Sequence, residues 1–407
     1  MTNFSQLETG FSRVWRRFLV LTCLAWAAMP APACADVGFQ QWVRDLWPAA
    51  KSAGISRPVY ERAFAGVVPD AEILQRAENQ PEFSRTMADY IGRMVSDERI
   101  ANGRSKAAEY AKILDAVEAL YGVDRYVVLA IWGVESGYGE HLGDKYVVQA
   151  LATLGYRGER AKFGRQQLIA ALKILQRGDT TAERMRGSWA GAMGHTQFIP
   201  TTYNAYAVDL DGDGRRDIWD TVPDALASTA NYLRRSGWQP GMPWGYPVIL
   251  PAGFDYALAD ETVRPLQQWR HAGVRRANGD RLSETGDAAA LILPSGARGP
   301  AFLVTANFRA ILRYNNSHAY VLGVGLLSDQ LRGKAMYRLN WPADERPLLK
   351  ADREELQGLL ARRGYPVGKI DGIIGSGTRT AIRNYQRSAG LPADGYPSYD
   401  LLNRLRR

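Results

Sequence analysis

The chain has 407 residues, of which 46% are hydrophobic and 23% charged, and carries a formal net charge of +9. That length gives room for two or three domains around a sizeable core, and the composition excludes a disordered chain. A basic balance suits nucleic acid or an anionic surface, but the positive residues are spread along the chain and form no dense patch for nucleic acid.

The N-terminus departs from this average. Arg13, Arg16 and Arg17 precede an apolar run from Phe18 to Met29, and Ala33 and Ala35 form an A-x-A cleavage signal. Residues 1–35 therefore read as a secretory signal peptide cut before Asp36. The apolar run is too short for a stable membrane span, which leaves a permanent anchor as the lesser alternative. Both cysteines, Cys23 and Cys34, fall inside this segment, so the mature chain has no thiol for disulfides or metal sites. Cleavage leaves 48 basic against 41 acidic residues, about +7, on a protein expected in the periplasm.

From Phe39 to about Gly139 apolar residues recur at helical spacing. Phe39, Trp42, Leu46 and Trp47 mark one face; Tyr110, Ile113, Leu114, Val117 and Leu120 mark a second. Pro58, Pro69 and Pro81 punctuate the early helices. The stretch ends in Ile131-Trp132-Gly133-Val134-Glu135-Ser136-Gly137-Tyr138-Gly139. Tyr126 to Val134 reads as a buried helix, stopped by Gly137 and Gly139, which tolerate positive φ. Glu135 thus closes an apolar run, where acids are rarely buried without a use. Apolar surroundings and the negative end of the helix dipole would both raise its pKa. A carboxyl group protonated near neutrality is what a general acid requires; the alternative is a solvated last-turn residue.

Arg160 to Arg177 forms a further helix. The segment Ser188-Trp189-Ala190-Gly191-Ala192-Met193-Gly194-His195-Thr196-Gln197-Phe198-Ile199-Pro200-Thr201-Thr202-Tyr203 is too glycine-rich for an ordinary helix and too apolar for a solvent loop. Gly191 and Gly194 permit close backbone approach, while Ser188 and Gln197 offer uncharged hydrogen bonding. It suits either the floor of a groove that reads hydroxyls and N-acetyl groups or a tight packing turn. The acidic stretch Asp209 to Asp220 then has the spacing of a calcium loop. Asp209, Asp211, Asp213 and Asp217 take positions 1, 3, 5 and 9, Gly212 comes fourth and Gly214 sixth, and Arg215 offers its carbonyl at position 7. Asp220 stands where a glutamate is usual, and Asp224 is the alternative closing ligand. A run of Asx turns without metal would give the same pattern.

Ala225 to Arg235 is helical. Residues 240–306 differ: Pro247–Leu250, Ala288–Leu293 and Ala301–Thr305 are short apolar runs between glycines and prolines, a small β-rich insertion. Helix resumes near Asn307 and runs to about Leu331. A proline-bearing linker, residues 340–350, leads to a separate helical tail, 351–407. There Asp371-Gly372 and a weaker echo at Asp394-Gly395 fit tight turns between helices.

The segments WGVESGYG and SWAGAMGHTQFIPTTY resemble the membrane-bound lytic murein transglycosylase B family over about residues 38–335. The tail LQGLLARRGYPVGKIDGIIGSGTRTAIRNYQ resembles the peptidoglycan-binding domain of wall enzymes. The resemblance implies a mainly α fold: a lysozyme-like helical core with the β-rich insertion and a separate C-terminal three-helix domain. It implies a catalytic region over 36–339 that cleaves peptidoglycan glycan strands at the MurNAc–GlcNAc bond, leaving 1,6-anhydro ends. Glu135 would act as acid and then base without a second carboxylate and without a cofactor for the chemistry. Carried over by position, Ser188 would orient Glu135, Gln197 would meet an acetamido group, and Met193 and Tyr232 would line the cleft. Tyr314, Asn315 and Tyr320 match a further YN…S…Y stretch, and Arg160 would meet a peptide or lactyl carboxylate. Glu159 and Phe163 replace an arginine and a tyrosine usual in the family. A structural Ca²⁺ in the acidic loop and cell-wall synthesis proteins as partners are further implications. Relatives are often lipoproteins, but Ala31-Pro32-Ala33 before Cys34 lacks the usual aliphatic residue, which favours soluble export. A water-using muramidase, with Glu140 or Asp144 as second acid, and a non-catalytic peptidoglycan-binding protein are the rival readings.

Overall fold

The computed structural model describes residues 37–78, 85–282 and 287–407; the expected signal peptide and Pro81 lie outside them. Helices α1 (Val37–Ser52) and α2 (Arg57–Phe64) open the chain, α1 burying Phe39, Val43, Leu46 and Ala50 at three- and four-residue spacing. They are followed by α3 (Ala71–Glu78), α4 (Met87–Met94), α5 (Asp97–Glu109), α6 (Ala111–Tyr121) and α7 (Arg125–Ser136). Thr86, Ser96 and Asp124 start α4, α5 and α7 by accepting first-turn backbone N–H groups on their side chains. One expectation fails here. The chain breaks at Tyr110, and Leu120 is 57% exposed. Six residues beyond the buried Leu114, it has turned about 120° away from the packed stripe.

The next elements are β1 (Lys145–Tyr146), α8 (Val147–Tyr156), α9 (Ala161–Arg177), β2 (Arg186–Gly187), α10 (Pro200–Tyr206) and α11 (Val222–Arg235). β1 and β2 pair antiparallel, Lys145 opposite Gly187, which staples the loop after α7 to the start of the Ser188–Tyr203 segment. α8 and α9 meet at glycines: a Cβ on Gly164 would lie 2.4 Å from the Gly155 nitrogen.

The insertion is an antiparallel five-stranded sheet built from β3 (Gly245–Ile249), β4 (Arg264–Pro265), β5 (Arg275–Arg276), β6 (Ala288–Ile292) and β7 (Ala301–Val304), in the order β4-β6-β7-β3-β5. Leu291 pairs with Leu303, and Val248 with Ala301 on one side and Arg276 on the other. Helix α12 (Leu266–His271) covers it with Trp269, whose indole donates to the Ala289 carbonyl. The expected single helix to Leu331 is two, α13 (Ala306–Tyr314) and α14 (His318–Leu331), because Asn315 turns extended and the Ser317 side chain caps α14.

Helices α15 (Lys350–Arg362), α16 (Ser376–Ser388) and α17 (Tyr399–Arg406) enclose Leu356, Leu360, Ile382 and Leu402. The repeat hinted at in the sequence has a physical basis. Buried Gln357 accepts from Asp371 and Gly372 backbone nitrogens, and Gln386 accepts from Gly395 while donating to Asp394, so each glutamine holds one Asp-Gly turn. This tail docks on the insertion through Ala297 N–H to the Asp394 carboxylate (2.7 Å) and Arg383 to the Ala259 carbonyl (2.7 Å).

Two large hydrophobic cores fill the part of the chain before the C-terminal helices. One surrounds α7 and α14; the other joins α1, α2, α8 and α9 with Met193, Phe198 and Tyr203. Tyr232 and Tyr314 pack against both, so the site described next lies at the seam.

Candidate active site

Glu135 is the penultimate residue of α7, and Gly137 ends the helix in the left-handed region at φ 62°. Tyr138 follows at φ 63°, a backbone region costly for a side chain. It is held by burial against Trp132 and by its hydroxyl donating to the Arg99 carbonyl at 3.0 Å. Gly103 and Gly133 make room for that ring, since a Cβ on either would overlap it. The acid's loop is therefore strained and packed, which fixes where Glu135 points.

Tyr320, in the first turn of α14, donates its hydroxyl to Glu135 Oε1 at 2.6 Å. Glu135 keeps some accessible surface but sits deep in the protein, and burial pushes its carboxyl up to about 7 against the opposing pull of that hydrogen bond. The negative charge of Glu135, when present, is felt by Tyr90, Tyr314 and Tyr320, and burial raises all three phenols further. A cavity of about 340 Å³ opens beside the acid, with Asn102, Glu98 and Glu140 on its wall.

An aromatic wall continues from Tyr320. Tyr314 stacks on it at 6.5 Å with planes 6° apart, and donates its hydroxyl to the Thr196 carbonyl. Tyr232 meets Tyr314 edge-on at 5.0 Å and donates to the Arg313 carbonyl, with Phe198 against both. Gln197 takes a positive φ of 53° and donates Nε2 to the Leu142 and Gly194 carbonyls, leaving Oε1 as an acceptor. Asn315 is exposed at the end of α13. The guanidinium of Arg160 lies over Phe163 and Trp189, at 4.9 and 5.3 Å from the ring centroids.

Two expected roles are corrected. Ser188 Oγ accepts from Ala192 N–H at 3.0 Å, which closes the 188–192 turn, and among the described residues it makes no hydrogen bond to Glu135. Met193 does not line the cleft. It is fully buried in the second core, because it bridges to both Gly187 and Phe198 and so faces inward. Sequence reasoning missed Tyr90, which sits in the unremarkable helix α4, and His195, Trp132 and Ser136, polar groups inside the two motifs. Trp132 Nε1 donates to His195 Nδ1 at 3.1 Å, and Ser136 Oγ donates to the His195 carbonyl at 2.6 Å.

In the acidic loop, oxygens of Asp209, Asp211 and Asp213 converge within 4.8 Å of one another. Asp209 also accepts from Gly212 and Gly214 N–H, so the loop is already curled around that point. Arg215 turns its side chain onto Asp213. Asp217 is buried and accepts from Trp219 and Asp220 N–H. Asp220 points outward to Arg184 at 2.7 Å, whereas Asp224 is fully buried and accepts from Leu210 and Asp217 N–H across the loop. Burial pushes the Asp224 carboxyl up to about 6.

A carboxyl pushed up to about 7 by burial, beside an open cavity and a cluster of tyrosines, suits a sugar-cleaving site. The sequence profile of the transglycosylase SLT domain matches residues 38–329, which takes in both motifs and every candidate site residue. The chain belongs to this family. A peptidoglycan binding domain profile matches residues 350–405. Membrane-bound lytic murein transglycosylase B of Escherichia coli is 32% identical over 241 residues, 58% of this chain and 64% of that protein, so under two thirds of its length is matched. The crystal structure of SltB3 from Pseudomonas aeruginosa in complex with NAG-anhNAM-pentapeptide is 53% identical, with a TM-score of 0.88, and covers 91% of this chain and 99% of that one. Soluble lytic transglycosylase SltB1 from the same organism is 29% identical with a TM-score of 0.63, covering 72% of this chain and 99% of its own. As a transglycosylase SLT protein, the chain has the expected lysozyme-like helical core, small sheet and C-terminal helical domain.

Proposed function

We propose that the protein is an exported lytic transglycosylase that cleaves the MurNAc–GlcNAc β-1,4 bond of peptidoglycan to leave 1,6-anhydroMurNAc ends. The observation that carries the reading is Glu135, a carboxyl at the end of α7 that accepts the Tyr320 hydroxyl and that burial pushes up to about 7. A retaining hydrolase would use a second carboxylate about 5–5.5 Å away as its nucleophile. Instead Glu135 gives its proton to the glycosidic oxygen as the bond to the anomeric carbon breaks. The resulting carboxylate, stabilised by the Tyr320 hydroxyl, then takes the proton of the sugar's own 6-hydroxyl. That oxygen closes on the anomeric carbon, and no water enters the product. The intramolecular attack benefits from reactants already held together. The Gln197 Oε1 acceptor suits an acetamido N–H, and the tyrosine wall suits sugar faces. Arg160 would meet a stem-peptide or lactyl carboxylate, and Asn315 would bracket hydroxyls from the exposed rim.

A divalent cation, Ca²⁺ by its hard oxygen donors, fits the acidic loop. Asp209, Asp211, Asp213 and the Arg215 carbonyl would hold it, with Asp217 and Asp224 bracing the loop and Asp220 engaged elsewhere. It would stabilise the fold and take no part in bond cleavage. The C-terminal domain would hold the wall, which supports action outside the cytoplasm, and cell-wall synthesis proteins remain candidate partners. No helix among the described residues is long and apolar enough to cross a membrane.

One observation favours a second reading, hydrolysis: Glu140 lines the same cavity as Glu135. Reducing-end release from purified glycan strands separates the two. A transglycosylase solubilises strands without new reducing ends, and Glu140→Gln leaves its rate within about twofold. New reducing ends in step with cleavage would replace this reading with the muramidase.

A further inference from the structure

Between the two motifs lies a side chain that neither the acid nor the aromatic wall explains. His195 is buried, 9% exposed, and its ring and backbone are both engaged. Its Nδ1 accepts the Trp132 indole N–H at 3.1 Å, which places the ring proton on Nε2 and leaves the imidazole neutral. Its carbonyl accepts from Ser136 Oγ at 2.6 Å, and the same Oγ accepts from Gly139 N–H at 3.0 Å. Its own N–H donates to the Ile218 carbonyl at 2.9 Å. The ring also occupies the space beside Gly139, where a Cβ would fall 2.5 Å from His195 Cε1.

Trp132 and Ser136 flank Glu135 on α7, three residues before and one after. The residues after His195 build the opposite wall: the Thr196 carbonyl receives the Tyr314 hydroxyl, and Gln197 presents its amide. One residue therefore ties the acid's helix to the segment that would hold the substrate. Ser188 was expected to orient the acid, and it makes no such link; the connection runs through His195.

We propose that His195 is a positioning residue, whose imidazole and carbonyl clamp the Gly194–Phe198 turn to the end of α7 and so set the distance between Glu135 and the Gln197–Tyr314 wall. In this role it acts through Glu135 and Gln197 and not on the reacting atoms. Its effect belongs to the transition state, since displacement of about 1 Å at a reacting centre lowers rate far more than it weakens binding. The proposal rests on Glu135 being the catalytic acid.

The test uses the full-length protein and purified glycan strands. His195→Phe keeps a buried ring and loses the acceptor; His195→Asn places an amide oxygen near the Nδ1 position. The expected result is a kcat about tenfold lower for His195→Phe with KM within about twofold, and recovery of most of that loss in His195→Asn. Trp132→Phe should lower kcat similarly, and the double variant with His195→Phe should be no worse than either alone. Ser136→Ala removes the other arm of the clamp without touching the ring, so it carries the test if His195→Phe does not fold. Wild-type kcat in folded His195→Phe or Ser136→Ala, equal impairment of His195→Asn and His195→Phe, or additive effects of Trp132→Phe and His195→Phe would each overturn the clamp. Glu135→Gln in the same assay separates the two levels. If it stays active, the acid assignment fails; if it is inactive while His195→Phe is unimpaired, the clamp alone fails.

Discussion

Replacing Glu135 by glutamine separates what the carboxyl does for chemistry from what it costs the fold. Its folded pKa of about 7 lies above the ordinary 4.5, so the folded state holds the proton more tightly than the unfolded chain does. Stability therefore declines as pH rises from about 4.5 through about 7. Glu135→Gln escapes that decline. The variant should lose at least about a thousandfold in activity, yet gain up to about 3 kcal/mol at pH 8 over its value at pH 5, relative to wild type. Denaturant melts at the two pH values check this, and an equal effect at both would contradict it. Tyr320→Phe removes the one hydrogen bond that favours the ionised carboxylate. The alkaline limb of kcat/KM, near pH 7 in wild type, should move upward while the rate falls about tenfold. A downward move would show that the hydroxyl does not act on Glu135. The buried carboxyl itself was legible in the sequence because a carboxylate closing an apolar run is anomalous. Ser188 and Met193 were misread because a chain that turns at Gly191 and Gly194 carries no period to say which side chains face inward. Tyr90 had no signal at all, since only the packing of α4 against α14 brings it near Glu135.

At the scale of elements, the acidic loop was legible as spacing, but which of Asp220 and Asp224 turns into it was not. Asp220 and Asp224 are equally plausible by count, and only the fold shows Asp224 turned in and Asp220 paired with Arg184. Asp224, at about 6, also costs the cation-free loop stability as pH rises through that value, because burial opposes its charge. A bound cation would place positive charge inside the loop, favour the ionised form of the carboxylates that hold and brace it, and so offset this. A chelator should therefore lower Tm by several degrees at pH 7.5 and by less at pH 5. A shift independent of pH, or none, would remove the cation from this loop. The β-rich insertion was readable from its short apolar runs. The break between α13 and α14 was not, because Ser317 caps the second helix inside a stretch with unbroken helical character.

For the whole molecule, the separate helical tail was legible by its linker and Asp-Gly turns, and its peptidoglycan-binding character by the resemblance of residues 356–386, whereas its docking on the insertion was not, since Ala297–Asp394 and Ala259–Arg383 join residues about a hundred positions apart. The ion pairs of Arg298 with Asp344 and Asp400 at that junction are exposed, and each contributes little. Arg298→Ala should accordingly change Tm by no more than a few degrees while leaving turnover of short soluble strands intact. Loss of that turnover would mean that the docked tail completes the catalytic cleft. The most direct measurement is the mass of the products released from purified sacculi by the wild-type protein and by Glu135→Gln. Wild type should release muropeptides one water lighter than their hydrolytic counterparts, and the variant should release none. Products at the hydrolytic mass, or anhydro products from Glu135→Gln, would contradict a single acid acting on the sugar's own hydroxyl.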